Sequence, residues 1–139
     1  MATNAATQLA SVPIFSGCSS RELNVIGRAA KEVSHKPGAV IAREGERGIG
    51  FFLIVEGEAE VSIGGKRKAK LGPGQFFGEV ALLDGGPRTA SVTALTPIKL
   101  LGITEWVFRG LLQEHPTIAL KTLESVAGRL RAASKAQPV

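Results

Sequence analysis

Phe76-Phe77-Gly78-Glu79-Val80-Ala81-Leu82-Leu83-Asp84-Gly85-Gly86-Pro87-Arg88-Thr89-Ala90-Ser91-Val92 sets Glu79 and Arg88, nine positions apart, inside an otherwise apolar and glycine-rich segment. A charge in such a segment must be paired or must meet a charged ligand, because an unpaired buried ion is costly. Gly78 ends a strand where a missing side chain permits a sharp turn and close backbone approach. Glu79 to Leu83 is long enough for about one helical turn, whose free N–H groups attract an anion. Asp84-Gly85-Gly86-Pro87 turns the chain back, and Arg88 enters the next strand. The planar fork of an arginine suits two phosphate oxygens. A carboxylate only accepts, which suits a sugar hydroxyl and repels a phosphate. Together the two charges point to a sugar phosphate, with Arg88 on the phosphate and Glu79 on a hydroxyl; a Glu79–Arg88 ion pair joining two strands is the bland alternative.

Working outward, the period of the chain is that of β structure from Gly38 to Ile103. Short runs (Ala39-Val40-Ile41, Phe51 to Val55, Ala59 to Ile63, Gln75 to Phe77, Ser91 to Leu95, Lys99 to Ile103) alternate with Gly, Pro and Glu-Gly punctuation, which predicts an antiparallel sandwich or barrel. Glu56-Gly57-Glu58 and Gly64-Gly65-Lys66 read as hairpins and Gly72-Pro73-Gly74 as a loop. Lys66-Arg67-Lys68-Ala69-Lys70, without interleaved aromatics, reads as a solvated hairpin tip rather than a nucleic-acid patch.

The flanks are helical. Ser19-Ser20-Arg21-Glu22 is a capping box, and Leu23, Ile26, Ala30 and Val33 extend an amphipathic helix toward Pro37. Thr104 is placed to cap a helix through Phe108, Leu111 and Leu112 that stops before Pro116. Leu120, Leu123, Ala127 and Leu130 mark one face of a last helix, expected to pack on the β unit or on a second subunit. Residues 1–12 and 134–139 are expected to be flexible tails around one domain, 13–133, an α+β plan.

Composition narrows the function classes. At 139 residues the chain suits one domain with a real core. The net charge of +5 allows an anionic partner. One cysteine, Cys18, excludes an internal disulfide and favours a reducing, cytoplasmic setting as a plain thiol. No apolar run reaches membrane-spanning length and no secretory signal precedes the first helix. Only His35 and His115 are present, each beside a proline, so a cupin-like metal centre lacks ligands. Both histidines read as surface or capping residues. There is no phosphate-loop motif and no nucleophile–base pair, so neither an enzyme nor a cofactor is expected.

Phe77-Gly78-Glu79-Val80-Ala81-Leu82 followed by Pro87-Arg88-Thr89-Ala90-Ser91-Val92 resembles the phosphate-binding cassette of the cyclic nucleotide-binding domain family. That family includes catabolite activators, kinase regulatory subunits and gated channels. Pro13-Ile14-Phe15, Gly38, Glu44-Gly45-Glu46 and Phe51-Phe52-Leu53-Ile54-Val55-Glu56-Gly57-Glu58 extend the likeness to about residues 13–133. The resemblance implies an antiparallel β-roll, jelly-roll-like (a double-stranded β-helix), with one helix before it and helices after. It implies a non-enzymatic sensor of a cyclic nucleotide, cyclic AMP ahead of cyclic GMP. Phe77, Gly78, Glu79, Val80, Ala81, Arg88, Thr89 and Ala90 would be the ligand-binding residues. Gly78 and Glu79 would take the ribose and Arg88 the cyclic phosphate, with the amides of Ala81 and Ala90 and the Thr89 hydroxyl completing phosphate and base contacts. Thr89 also stands where some family members read guanine. Leu123, Arg129 and Leu130 are the candidates to close the base pocket, and the last helix would carry the signal.

Catabolite activators follow this domain with a helix-turn-helix. Arg131 is followed here by eight residues, Ala132 to Val139, too few for that motif. The chain therefore reads as a small sensor, or as the sensor piece of a larger regulator, channel, transporter or enzyme, with no nucleic acid or membrane as its own partner. A second copy bound through the C-terminal helix, or an effector domain, would be that partner. A degenerate copy that binds nothing is the remaining alternative.

Overall fold

Runs of β-branched and aromatic residues, cut by glycine and proline, give eight short strands among the described residues. The computed structural model describes residues 4–47 and 50–134. The described residues fall into two compact units, one within 29–108 and the other formed by both flanks together, 4–28 with 109–134.

In the 29–108 unit the strands are β1 (Lys31–His35), β2 (Val40–Ala42), β3 (Gly50–Glu56), β4 (Ala59–Ile63), β5 (Lys66–Leu71), β6 (Phe76–Phe77), β7 (Ser91–Ala94) and β8 (Ile98–Thr104). Two four-stranded antiparallel sheets result, one ordered β1-β8-β3-β6 and the other β2-β7-β4-β5. Except at the β4–β5 hairpin, each successive strand changes sheet, as in the β-roll expected from the sequence. Ala42, Ile54, Ala59, Val92, Ala94, Ile98 and Leu100 form the core, edged by Phe52 and Phe77. β8 buries both faces, since Leu101 and Ile103 on its other side are buried too.

Three local readings change. Lys31–His35 is a strand paired with β8, not the end of the preceding helix; Val33 lies opposite Leu100, and this pairing outweighs the helical spacing that Ala30 and Val33 continue. The basic run Lys66–Lys70 lies within edge strand β5, where charge protects an open edge from further pairing. Glu56-Gly57-Glu58 is no hairpin, because β3 and β4 belong to different sheets. Gly57 has φ +93°, and a Cβ there would overlap the Pro97 carbonyl and lie 2.9 Å from Ile98 Cα. Only glycine fits this crossing. Gly64-Gly65 is the true hairpin turn, with Ile63 opposite Lys66.

The other unit contains α1 (Asn4–Leu9), a 3-10 turn (Pro13–Phe15), most of α2 (Ser20–Ala29), the end of α4 (Glu105–Glu114) and α5 (Pro116–Ala133). Residues 4–12 are not a frayed tail, since Ala6, Leu9 and Val12 are fully buried. Residues 1–3 and 135–139 of the expected tails lie outside the described residues. The capping box forms: the Ser19 amide donates to Glu22 Oε1 at 2.8 Å and the Glu22 amide to Ser19 Oγ at 3.2 Å. Thr104 precedes α4, but its hydroxyl is buried without a hydrogen-bond partner among the described residues and so caps nothing. His115 stands at the cap of α5 with no side-chain cap bond.

On α5 the leucine stripe faces outward, with Leu120, Leu123 and Leu130 each more than half exposed. Ile118 and Thr122 are buried instead, with the Thr122 hydroxyl donating to the Ile118 carbonyl at 2.8 Å. Ser125 Oγ donates to Pro13 O at 2.6 Å. Small hydroxyl side chains that bond to a carbonyl let this face approach the 3-10 turn closely. Burial pushes the Cys18 thiol up, with Glu22 adding to it, which keeps the sulfur protonated.

Lys121 donates to Glu22 Oε1. This contact, with the Ser19 amide, holds the Glu22 carboxyl at about 2. A lowered carboxyl stabilises the fold above its ordinary value of 4.5, and that contribution is lost as pH falls through about 2. Glu22→Gln keeps the capping box and removes the ion pair. It should cost about 1 kcal/mol at pH 7 and flatten the decline of thermal stability across that acid window. Melting curves that stay parallel to wild type down to the lower limit would contradict this.

Candidate functional site

β6 ends at Phe77, and Gly78 (φ +87°) turns the backbone into the short helix α3 (Glu79–Asp84). The Leu82 amide donates to Gly78 O at 3.0 Å, so the amides of Glu79, Val80 and Ala81 come too early in the helix for an intrahelical carbonyl. Gly85 ends the helix in a left-handed conformation, its amide donating to Ala81 O at 2.8 Å. Asp84 Oδ1 then accepts the Gly86 amide at 2.7 Å, which tightens the return toward β7. An Arg47–Glu105 ion pair of 4.0 Å lies beside this turn.

Arg88 does not enter the next strand as the sequence suggested but lies in the loop three residues before β7, and the Glu44-Gly45-Glu46 turn anchors it there. The Arg88 amide donates to Glu46 O at 2.8 Å and the Gly45 amide donates to Arg88 O at 2.9 Å. The Glu44 amide donates to Ser91 Oγ at 2.9 Å, while Glu44 Oε1 accepts the Gly64 amide at 2.9 Å. This turn therefore fixes the backbone of Arg88.

Arg88 is 9% exposed, and with Thr122 it is one of two buried polar or charged residues described. Its Nη2 donates to the Gly50 carbonyl at 2.5 Å. Burial lowers its proton affinity, yet a guanidinium starts so high that the charge remains. Its Nη1 lies against Gly78, where a Cβ would overlap it. Glu79 is half-buried at the first position of α3, with its Oε2 fully buried. The segment thus holds a desolvated cation beside the open amide end of a helical turn.

These groups face a cavity of about 520 Å³. All eight residues singled out from the sequence line it: Phe77, Gly78, Glu79, Val80, Ala81, Arg88, Thr89 and Ala90. Val80 and Thr89 are exposed, whereas Ala81 is buried. The sequence reading missed the opposite wall, which Ala42, Val61, Leu71 and Val92 supply from β2, β4, β5 and β7. Alternation along Ala59–Ile63 could have marked Val61 as inward-facing; nothing local marks Leu71, which ends a run of cations. The volume suits a small organic ligand, with charge at one side and an apolar wall at the other. Among the described residues no group of His, Cys, Asp or Glu is arranged to hold a metal ion.

Comparison with known proteins returns one family model, described as cyclic nucleotide-binding domain, matching residues 32–115. A cyclic nucleotide-gated potassium channel of Mesorhizobium japonicum is 41% identical over 80% of this chain and 31% of its own length. A cAMP-dependent protein kinase regulatory subunit of Colletotrichum orbiculare is 38% identical over 75% of this chain and 27% of its own. The chain thus spans about a third of these relatives. Among solved structures, the N-terminal domain of a transcriptional regulator from Streptomyces coelicolor superposes with a TM-score of 0.87. That pair is 29% identical over 95% of this chain and 98% of the other. The Thermus thermophilus catabolite activator protein gives 0.70 at 29% identity, over 88% and 60% of the two chains.

Proposed function

Because the chain belongs to the cyclic nucleotide-binding domain family, we propose that the cavity beside Arg88 holds a cyclic nucleotide and that the protein is a sensor which performs no catalysis. The observation that carries this reading is a buried guanidinium on the wall of a cavity otherwise lined mainly by apolar groups. A cyclic phosphate is a monoanion, and it would neutralise a cation that burial has already stripped of water. One of the five donors of Arg88 goes to Gly50; the others are those a phosphate would use. The early amides of α3 would take a further phosphate oxygen, and the Ala90 amide with Thr89 would bind beside them. Glu79, with Gly78, would accept the ribose hydroxyl, and the base would lie along Val61, Leu71 and Val92.

Cyclic AMP is the favoured ligand, with cyclic GMP the competitor that Thr89 could serve. The relatives include a channel and a kinase regulatory subunit, so the output of this chain would be delivered to a partner. The exposed leucine stripe of α5 offers that partner, a second copy or an effector domain, an apolar surface. Signalling through α5 requires that the ligand bind two states of the chain unequally. The proposed ligand class and the free thiol of Cys18 support a cytoplasmic setting, and among the described residues no helix is long and apolar enough to cross a membrane.

Calorimetric titration of the purified chain tests the reading. Cyclic AMP should bind one site per chain in the micromolar range and more tightly than cyclic GMP, and linear 5′-AMP should bind far more weakly. Silence toward both cyclic nucleotides at millimolar concentration would leave the degenerate, ligand-free copy as the correct description.

A further inference from the structure

A second cavity, of about 420 Å³, opens within the same unit and shares no lining residue with the first. It lies on the side of the β1-β8-β3-β6 sheet where Val33 faces Leu100 and Gly102 faces Phe52. Gly50 and Gly102 open its floor. A Cβ on Gly102 would come within 3.0 Å of the Phe52 ring, and one on Gly50 would overlap the Ile103 carbonyl. Val33, Ile41, Phe52, Trp106 and Val107 supply apolar walls. Trp106 is 65% exposed, an unusual position for a large aromatic residue unless something covers it.

The formal charge in the lining has one sign, from Lys31. Lys31 and His35 are its titratable residues, and no carboxylate lines it. Lys31 is exposed and has no ion pair among the described residues, whereas its neighbour Glu32 pairs with Lys99 at 3.7 Å. An apolar chamber with an uncompensated ammonium at its edge matches an apolar body that ends in an anion. We propose that this cavity is a second binding site, for a small organic acid with an apolar tail. The carboxylate would meet Lys31, and the tail would lie along Val33 and Phe52 beneath Trp106. The Phe52 ring stands 5.4 Å from that of Phe77, so one aromatic pair separates this chamber from the cavity beside Arg88.

Trp106 is the chain's only tryptophan and there is no tyrosine, so its emission reports on this site alone. Titrating the full chain with decanoate should give a saturable blue shift at concentrations below about 1 mM. The uncharged analogue 1-decanol should bind about tenfold more weakly. Lys31→Glu should weaken decanoate about tenfold and leave decanol unchanged. Val33→Phe, which fills the chamber, should remove the response to both with an unaltered melting curve; Val107→Phe serves if that variant does not fold. No saturable shift with decanoate would overturn the site, and would leave a protein segment as the cover of Trp106. Equal binding of decanol would overturn the acid, and a response that survives filling would place the ligand elsewhere.

Discussion

Arg88→Ala should lower cyclic nucleotide affinity on the order of a thousandfold while leaving the fold of the ligand-free protein nearly as stable as before. The two halves of that expectation have different origins. In the free protein the guanidinium is buried, and its one side-chain bond described goes to the Gly50 carbonyl. Removing it forfeits a charge-assisted hydrogen bond but also relieves the desolvation that lowers its proton affinity. Those terms oppose one another, so melting without ligand should move by only a few degrees. In the complex nothing offsets the loss. The phosphate would meet a guanidinium that is already buried, and truncating one member of a buried charge pair costs about 2–5 kcal/mol. Each 1.4 kcal/mol is about a factor of ten. The stabilisation that wild type gains from cyclic AMP in a thermal shift should therefore vanish in the variant at equal ligand concentration. Arg88→Lys should fall between the two, since it keeps the charge but not the planar fork. Undiminished affinity in Arg88→Ala would place the phosphate elsewhere.

The backbone turn of the candidate site was legible because its information is local. Two charges in an apolar stretch, a glycine before one and a Gly-Gly-Pro turn before the other, describe a strand, a helical turn and a return toward β7 without reference to distant residues, though the strand begins only at Ser91. Several of the errors concern partners far along the chain. Val33 continues a helical spacing from Leu23 and Ile26, and only its pairing opposite Leu100 makes it part of a strand. Gly57 sits between two apparent strands like any hairpin glycine, yet the backbone that crowds it is that of Pro97 and Ile98. On α5 two stripes have helical spacing, and the more apolar one is not the one buried. Ile118, Thr122 and Ser125 win that face because the Pro13 carbonyl meets a serine there. Composition ranked the leucines first, whereas close packing against the 3-10 turn favoured smaller side chains.

Gly78→Ala should disrupt both the fold and the site through one added methyl. At φ +87° an alanine is strained by about 1–2 kcal/mol wherever it occurs. At Gly78 the added Cβ would also overlap Arg88 Nη1 and lie 2.5 Å from the Gly50 carbonyl, so the two partners of one hydrogen bond are both pushed. The guanidinium can yield by swinging away; the β3 backbone, paired with β8 at Gly50, cannot do so cheaply. The variant should therefore lose affinity about a hundredfold through displacement of Arg88, besides melting several degrees lower. Gly74 supplies the control. It has φ +86°, yet a Cβ there meets nothing within 4 Å, so Gly74→Ala carries the backbone strain without the collision. It should melt lower by a smaller amount and bind cyclic AMP as wild type does. Equal affinity in the two variants would mean that Gly78 is required for the turn alone. A loss confined to Gly78→Ala would show that the missing side chain is what lets Arg88 lie across the start of α3.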